Sequence, residues 1–373
     1  MKKILNLLFN DFTNDNRVLK ESRTLQSNGF DVKLLATHFK KELPKEELIE
    51  GFKVKRINVG RIKLLPLNLI LFWIKSVFLY KKEDIIHAND LYALPPAVFI
   101  KKFINKRVKI VYDCHEHETE AQIYNGKKLL KKLAQIFEKK MIYSANRVIT
   151  VSKSIAKDYV EMYNIKEPQL VLNSPPYQGL KRYNLLRKDL NISKDKIIFL
   201  FQGQYIEGRG VNDLIEVFKN LSEINSNLVL VLLMYGKGVE EVKSQIEGIE
   251  NIYFHEKVSV LEYMKYVSSA DWGIYLMENN CKNSDYALPN KVFDYILGGL
   301  PVVVSELKEM GAFVRENNIG LTVDFDKKEE IVRTLAKMDE KSKEKYLENI
   351  EKTAKKYSWE EQEKVLLKIY NSL

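Results

Sequence analysis

The chain has 373 residues, of which 45% are hydrophobic, and sets 60 Lys and Arg against 50 Asp and Glu for a formal net charge of +10. That length exceeds the roughly 250–300 residues at which a single core stops growing, so two domains are expected, and the apolar fraction argues against a disordered majority. The positive charge asks for an acidic partner: a phosphorylated substrate, an anionic membrane, or nucleic acid, the last least supported because no zinc-finger, RNP or basic-zipper motif is present.

The start, MKKILNLLFNDF, has an apolar run too short for a signal peptide and ended by Asp11; it reads as the first strand of an α/β domain. Apolar runs near 3–9, 31–36, 84–87, 108–112 and 147–151 alternate with helical patterns, the signature of a mainly parallel sheet. After the first strand come Asn14, Asp15, Asn16 and Arg17, polar groups where open α/β sheets form their crevice. Asp15 or Asn16 also suits a helix N-cap. Arg61 to Lys82 is apolar, flanked by bases and contains Trp73. It fits an interfacial helix, and equally a buried helix of the first domain, but not a membrane span.

The strand Val108 to Tyr112 runs into Asp113, His115, Glu116, His117 and Glu118. Such a titratable cluster suggests acid/base work or metal binding, but HEHE lacks the i,i+4 histidine pair of a helical zinc site. Lys127 to Tyr143 puts Leu129, Leu133, Ile136 and Phe137 on one helix face and lysines on the other, a second membrane-facing candidate or a plain solvated face. Cys114 and Cys281 lack any CxxC spacing, which argues against a disulfide framework or structural zinc and points to a reducing compartment.

Residues 173–196 lack a steady period and read as a linker with a short helix. A second strand series follows at 197–202, 228–234, 251–254, 273–277, 301–304 and 320–323. The strand from Ile197 to Phe201 opens into a loop with Gly203, Gly208 and Gly210 around Arg209, ahead of an amphipathic helix from Val211 to Leu221. Glycines let backbone approach a ligand, and a guanidinium forks onto phosphate oxygens.

Further on, ALPNKVFDYILGGLPVVVS (287–305) joins a helix with Pro289 in its first turn to a buried strand. Helix-start N–H groups near Asn290 and the charge of Lys291 favour an anion, while Asp294, one turn on, can accept hydrogen bonds from sugar hydroxyls. The plain alternative is a solvated i,i+3 pair. Asp324-Phe325-Asp326 spells a DxD but sits where aspartates cap helices, so no metal site is assigned.

GQYIEGRG, ALPNKVFDYILGGLPVVVS, RVITVSKSIAKDYV, VLNSPP, YDCHEHETE, NDNRVLKESRTLQSNGFDV and the ending YSWEEQEKVLLKIY occur in the order in which the retaining glycosyltransferases of family 4 carry similar segments. The chain resembles that family, in a bacterial subgroup with a PNKxFEY-like donor motif. The resemblance implies an α/β protein of the GT-B class, two Rossmann-like domains facing each other across a cleft: 1–172 for the acceptor, linker 173–196, 197–356 for the nucleotide-sugar, and 357–373 returning to the first domain.

It implies sugar transfer from a nucleoside-diphosphate sugar to a saccharide or lipid-linked saccharide hydroxyl, with retention, without a metal or other cofactor. The expected setting is cell-surface polysaccharide or glycan assembly in the cytoplasm, peripheral on the inner face of the plasma membrane. Arg209, Lys291 and His115 are the catalytic candidates. Gly203, Arg209, Pro289, Asn290, Lys291 and Asp294 are assigned to the donor, and Asn14, Arg17 and His115 to the acceptor, His115 with an orienting role near the donor sugar. Family members usually have glutamates where this chain has Tyr286 and Asp294, so the sugar-contacting carboxylate is replaced and the ribose contact shortened by one methylene. A nucleotide-sugar epimerase, a phosphorylase, or a non-catalytic scaffold subunit of the same fold are the alternatives.

Overall fold

The computed structural model describes residues 1–13, 15–60, 65–206 and 210–373. Asn14, Gly208, Arg209 and the start of the Arg61–Lys82 segment therefore lie outside the described residues. The chain divides into two compact units, one of Met1–Asn173 with Gln362–Leu373 and one of Ser174–Glu361.

In the first unit the strands are β1 (Lys3–Leu7), β2 (Asp31–Thr37), β3 (Glu46–Ile49), β4 (Phe52–Ile57), β5 (Ile85–Asn89), β6 (Lys109–Cys114), β7 (Arg147–Thr150) and β8 (Gln169–Leu170). They form one sheet in the order β3-β4-β2-β1-β5-β6-β7-β8, parallel except for the edge pair β3 and β4. Ile4 of β1 pairs with Val32 on one side and Ile85 on the other, so the chain order reverses at β1. Crevices form beyond the carboxyl ends of strands at such a reversal. Every residue of β5 is buried, His87 and Asn89 included. Polar groups inside a central strand need partners, and Asn89 donates to the Leu7 carbonyl at 2.8 Å while Asn6 of β1 donates to Ser22 Oγ at 3.1 Å.

The second unit has β9 (Ile197–Gln204), β10 (Leu228–Tyr235), β11 (Ile252–His255), β12 (Trp272–Tyr275), β13 (Val302–Ser305) and β14 (Gly320–Val323). Their order, β11-β10-β9-β12-β13-β14, is that of a dinucleotide-binding sheet, with all strands parallel and the reversal between β9 and β12. Residues 174–196 pack into this unit: Arg187 donates to Asp271 at 2.7 Å and Tyr183 N to the Ser268 carbonyl at 3.4 Å. Phe199, Trp272 and Tyr295 are fully buried, with Phe199 and Trp272 stacked at 6.0 Å.

Gly273 is a packing requirement. A Cβ there would lie 2.2 Å from the Tyr295 ring, which crosses β12 and donates to the Ile274 carbonyl at 3.2 Å. A buried ring on a parallel sheet has nowhere to retreat, so Gly273→Ala should cost about 1–3 kcal/mol of stability, read as a lower urea midpoint with an unchanged slope. Wild-type stability in that variant would remove this account of the glycine.

Candidate functional site

At the carboxyl end of β9, Gly203 has φ of 127° and lies directly under the side chain of Lys291. A Cβ at 203 would come within 2.9 Å of Lys291 Cε and 3.1 Å of Nζ, so the glycine makes room for the lysine across the strand end. Lys291 Nζ rides 4.9 Å from the centre of the Tyr275 ring on β12. The cation therefore sits at the β9/β12 reversal.

Lys291 comes from the helix Asn290–Leu297, whose N-cap residue makes no side-chain capping hydrogen bond. Pro289, expected inside the first turn, is instead the N-cap, with φ of −64° and ψ of 142°. The fixed proline φ serves either position, but this ψ is extended, so the helix begins at Asn290. Asn290 is exposed and Lys291 half-buried. One turn on, Asp294 accepts from Tyr263 Oη at 2.8 Å and from Gln202 Nε2 at 3.1 Å. Burial first, and then the Asp294 charge, push the Tyr263 hydroxyl well above its ordinary range, so it stays a donor.

Gln202 carried a weak sequence signal as a polar residue beside a glycine at a strand end. Tyr263 carried none, because its partner is 31 residues away. Tyr286, at the position of the missing glutamate, accepts from Lys308 Nζ at 3.1 Å, and that amine also lies 4.3 Å from its ring centre. The phenol thus packs against a cation.

In DFD, Asp324 accepts from Asp326 N and pairs with Lys327, at 3.2 and 3.3 Å. Lys327 occupies the N-cap position of the next helix, so these aspartates close a turn and do not cap it.

The first unit holds a second cluster, beyond β5 and β6. Arg17, assigned to the acceptor from sequence, is only 3% exposed. Its guanidinium forks onto Asp113 at 2.7 and 2.8 Å and donates to the Val171 carbonyl at 2.6 Å. It braces Asp113 from within the fold. The preceding Asp15 is the N-cap, accepting from Val18 N at 3.2 Å.

His115 lies between two carboxylates: Nε2 is 3.0 Å from Asp113 and Nδ1 3.3 Å from Asp90, whose other oxygen accepts from the His115 amide at 3.0 Å. Asp90 reaches this position with φ of 62°, a left-handed backbone that aspartate tolerates better than most side chains. Burial works against charge on His115, but Asp90 and Asp113 prevail and push it up to about 10. Arg17 and the two histidine contacts outweigh burial at Asp113 and hold it well below the usual carboxylate range.

Glu118, raised first by burial and then by Asp90 and Glu116, is pushed up to about 8. His117 faces away and meets Asp158 at 2.7 Å. Glu21, His87 and Asp113 lie close enough together to suggest a metal site, yet Arg17 already contacts Glu21 at 3.2 Å and Asp113 at 2.7 Å, so a guanidinium supplies the cation.

His115 should therefore be an imidazolium at pH 8, visible in its ring nitrogen shifts. Because its folded value lies above the ordinary 6.5, its contribution to stability should be full below about pH 6.5 and disappear as pH rises through about 10. Asp90→Asn should lower the titration point. A His115 titrating near 6.5 in the wild type would break this assignment.

Comparison with known proteins fits both units. Residues 16–173 match the description Glycosyltransferase Family 4, and residues 212–360 match Glucosyltransferase 3-like, C-terminal domain. The chitobiosyldiphosphodolichol beta-mannosyltransferase of Candida albicans is 23% identical over 263 residues, 65% of this chain, which spans 57% of that relative. Among solved structures, sucrose-phosphate synthase from Thermosynechococcus elongatus superposes with a TM-score of 0.78 at 15% identity, covering 100% of this chain and 99% of that one. Anabaena HepE in complex with UDP-glucose gives 0.72 at 15% identity and full coverage of both chains. The chain has the GT-B fold, with residues 16–173 similar to glycosyltransferase family 4 and residues 212–360 similar to the glucosyltransferase 3-like C-terminal domain.

Proposed function

We propose that this chain transfers a sugar from a nucleoside diphosphate to a hydroxyl of a saccharide acceptor carried on a lipid, with retention and without a metal. The observation that carries the donor half is Lys291 lying over Gly203 at the β9/β12 reversal, beside the start of the helix Asn290–Leu297. As the bond from the anomeric carbon to the β-phosphate oxygen breaks, negative charge grows on that phosphate. Lys291 and the helix start supply preorganised positive charge there, and Arg209, which follows β9 in the sequence, is assigned to the same phosphate. Asp294, fixed by Tyr263 and Gln202, offers a carboxylate to the ribose. HepE in complex with UDP-glucose supports a nucleotide-sugar donor, and the Candida enzyme's name supports a lipid-diphosphate-linked acceptor.

Retention is taken from the resemblance to the retaining glycosyltransferases of family 4. Retention gives the proton another destination: the acceptor oxygen bonds to the anomeric carbon on the face the phosphate leaves, and the departing phosphate oxygen takes the proton.

Screening nucleotide-sugars by thermal shift identifies the donor, since ligand at 100 times its Kd stabilises by about 2.7 kcal/mol. Lys291→Ala and Arg209→Ala should each lower kcat by roughly a hundredfold or more. Asp294→Asn should mainly raise the donor KM, because a ribose contact is much the same in ground and transition states. Full activity in the first two variants would remove the phosphate assignment.

Turnover should also persist in EDTA, and NMR of the product should show the anomeric configuration of the donor kept. An inverted product, or activity lost to chelation and restored by manganese, would overturn the corresponding part of the mechanism.

A further inference from the structure

Two helices of the first unit bury polar residues while leaving large apolar residues exposed. Helix Leu65–Leu79 buries Asn68, Phe72 and Ser76, and turns Leu67, Ile70, Ile74 and Phe78 to the outside, Phe78 being 74% exposed. Helix Lys128–Ile142 does the same. Its buried Glu138 accepts from Tyr112, Tyr159 and Tyr163 at 2.7, 2.8 and 2.6 Å, while Leu129, Leu133 and Ile136 are exposed, Leu129 by 73%.

The two helices belong to one layer. Trp73 stacks on Phe137 at 6.4 Å, and its indole N–H donates to the Tyr92 carbonyl of the helix Asp90–Phe99 between them. That middle helix runs into a π-helical turn, Ile100–Ile104, with Phe99 and Phe103 also exposed. An amphipathic helix on a water-facing surface has the opposite arrangement.

We propose that this outer face, formed by helices Leu65–Leu79 and Lys128–Ile142 with the turn at Phe103, is a docking surface for an anionic lipid bilayer. Charge selects the occupant. Lys102, Lys106, Lys128, Lys132, Lys139 and Lys140 are exposed around the apolar residues. The first helix has no Asp or Glu, and the only acid of the second, Glu138, is buried. Lysines that keep their amines at headgroup level while leucines and phenylalanines enter the acyl boundary are the pattern of an interfacial layer. No helix among the described residues is long and apolar enough to cross a membrane, so the contact lies in the plane of the surface. Lys131 is left out because it pairs with Glu120.

The test is co-sedimentation of the full chain with vesicles of phosphatidylcholine alone or mixed with phosphatidylglycerol, across a salt series. The wild type should partition onto the mixed vesicles at least tenfold better than onto the neutral ones, and less so as salt rises. A Leu129→Ser/Leu133→Ser/Ile136→Ser variant should lose at least tenfold, and Phe103→Ser alone should lose a measurable part. The triple variant Lys128→Gln/Lys132→Gln/Lys139→Gln should lose most of the preference for phosphatidylglycerol. Leu261→Ser, 92% exposed in the other unit, should change nothing.

Equal binding to neutral vesicles, no binding, or loss equal in the Leu261 control would overturn the proposal. So would a dimer in light scattering that the leucine substitutions dissolve without any vesicle binding, because the face would then belong to a second copy. The readout is binding alone, so it stands or falls separately from the transfer reaction.

Discussion

The first unit is organised around one buried carboxylate, Asp113 at the end of β6. It takes the Arg17 fork, holds His115 at 3.0 Å and lies 3.4 Å from His87, which in turn shares a hydrogen bond with Tyr370. Through those partners it ties the helix after β1, the middle of β5, its own strand and the final helix to one point. A charge so deeply placed is tolerable only when every lone pair is occupied, and removing one partner of such a pair typically costs about 3–5 kcal/mol. The same carboxylate, together with Asp90, raises the His115 pKa, so packing and titration in this unit share one electrostatic origin.

The second unit solves a different problem by steric means. Here a cation is held over a strand end by the absence of a side chain at Gly203, and a ring is held over a strand by the absence of one at Gly273. Neither arrangement needs a strong interaction. Both need backbone that no Cβ obstructs, which makes the geometry rigid while leaving the lysine amine with aromatic rings on its protein side. In the transfer proposed above, positive charge kept ready in this way would not need to reorganise when a phosphate departs.

Much of this was legible in the sequence because buried parallel strands are runs of apolar residues. Ile197–Phe201 and Val302–Val304 mark β9 and β13 to within a few residues. The edge pair was missed, since FKVKRI in β4 alternates apolar with charged side chains and EELI in β3 reads as polar. What sequence periodicity cannot supply is which face of a helix turns inward. The leucines of Lys127–Tyr143 give a clear apolar stripe, yet the buried residues are Glu138 and Ile142, because three phenols from β6 and the helix Lys153–Tyr163 wait for the carboxylate. Arg17 misled for a related reason: its partners Asp113 and Val171 are 96 and 154 residues away. Asp90 went unnoticed because its significance lies in a backbone angle.

The placement of Gln362–Leu373 in the first unit has a consequence for synthesis. Leu366, Ile369 and Tyr370 are buried there, and Tyr370 meets His87 across 283 positions of chain. A domain made first would ordinarily finish folding while the ribosome is still at work. This one cannot. Its sheet can assemble early, but the apolar surface meant for the last helix stays open throughout translation of the second unit. The nascent protein thus carries an unfinished domain while residues 174–361 are made, and the closing contact of Tyr370 with His87 joins positions 283 residues apart.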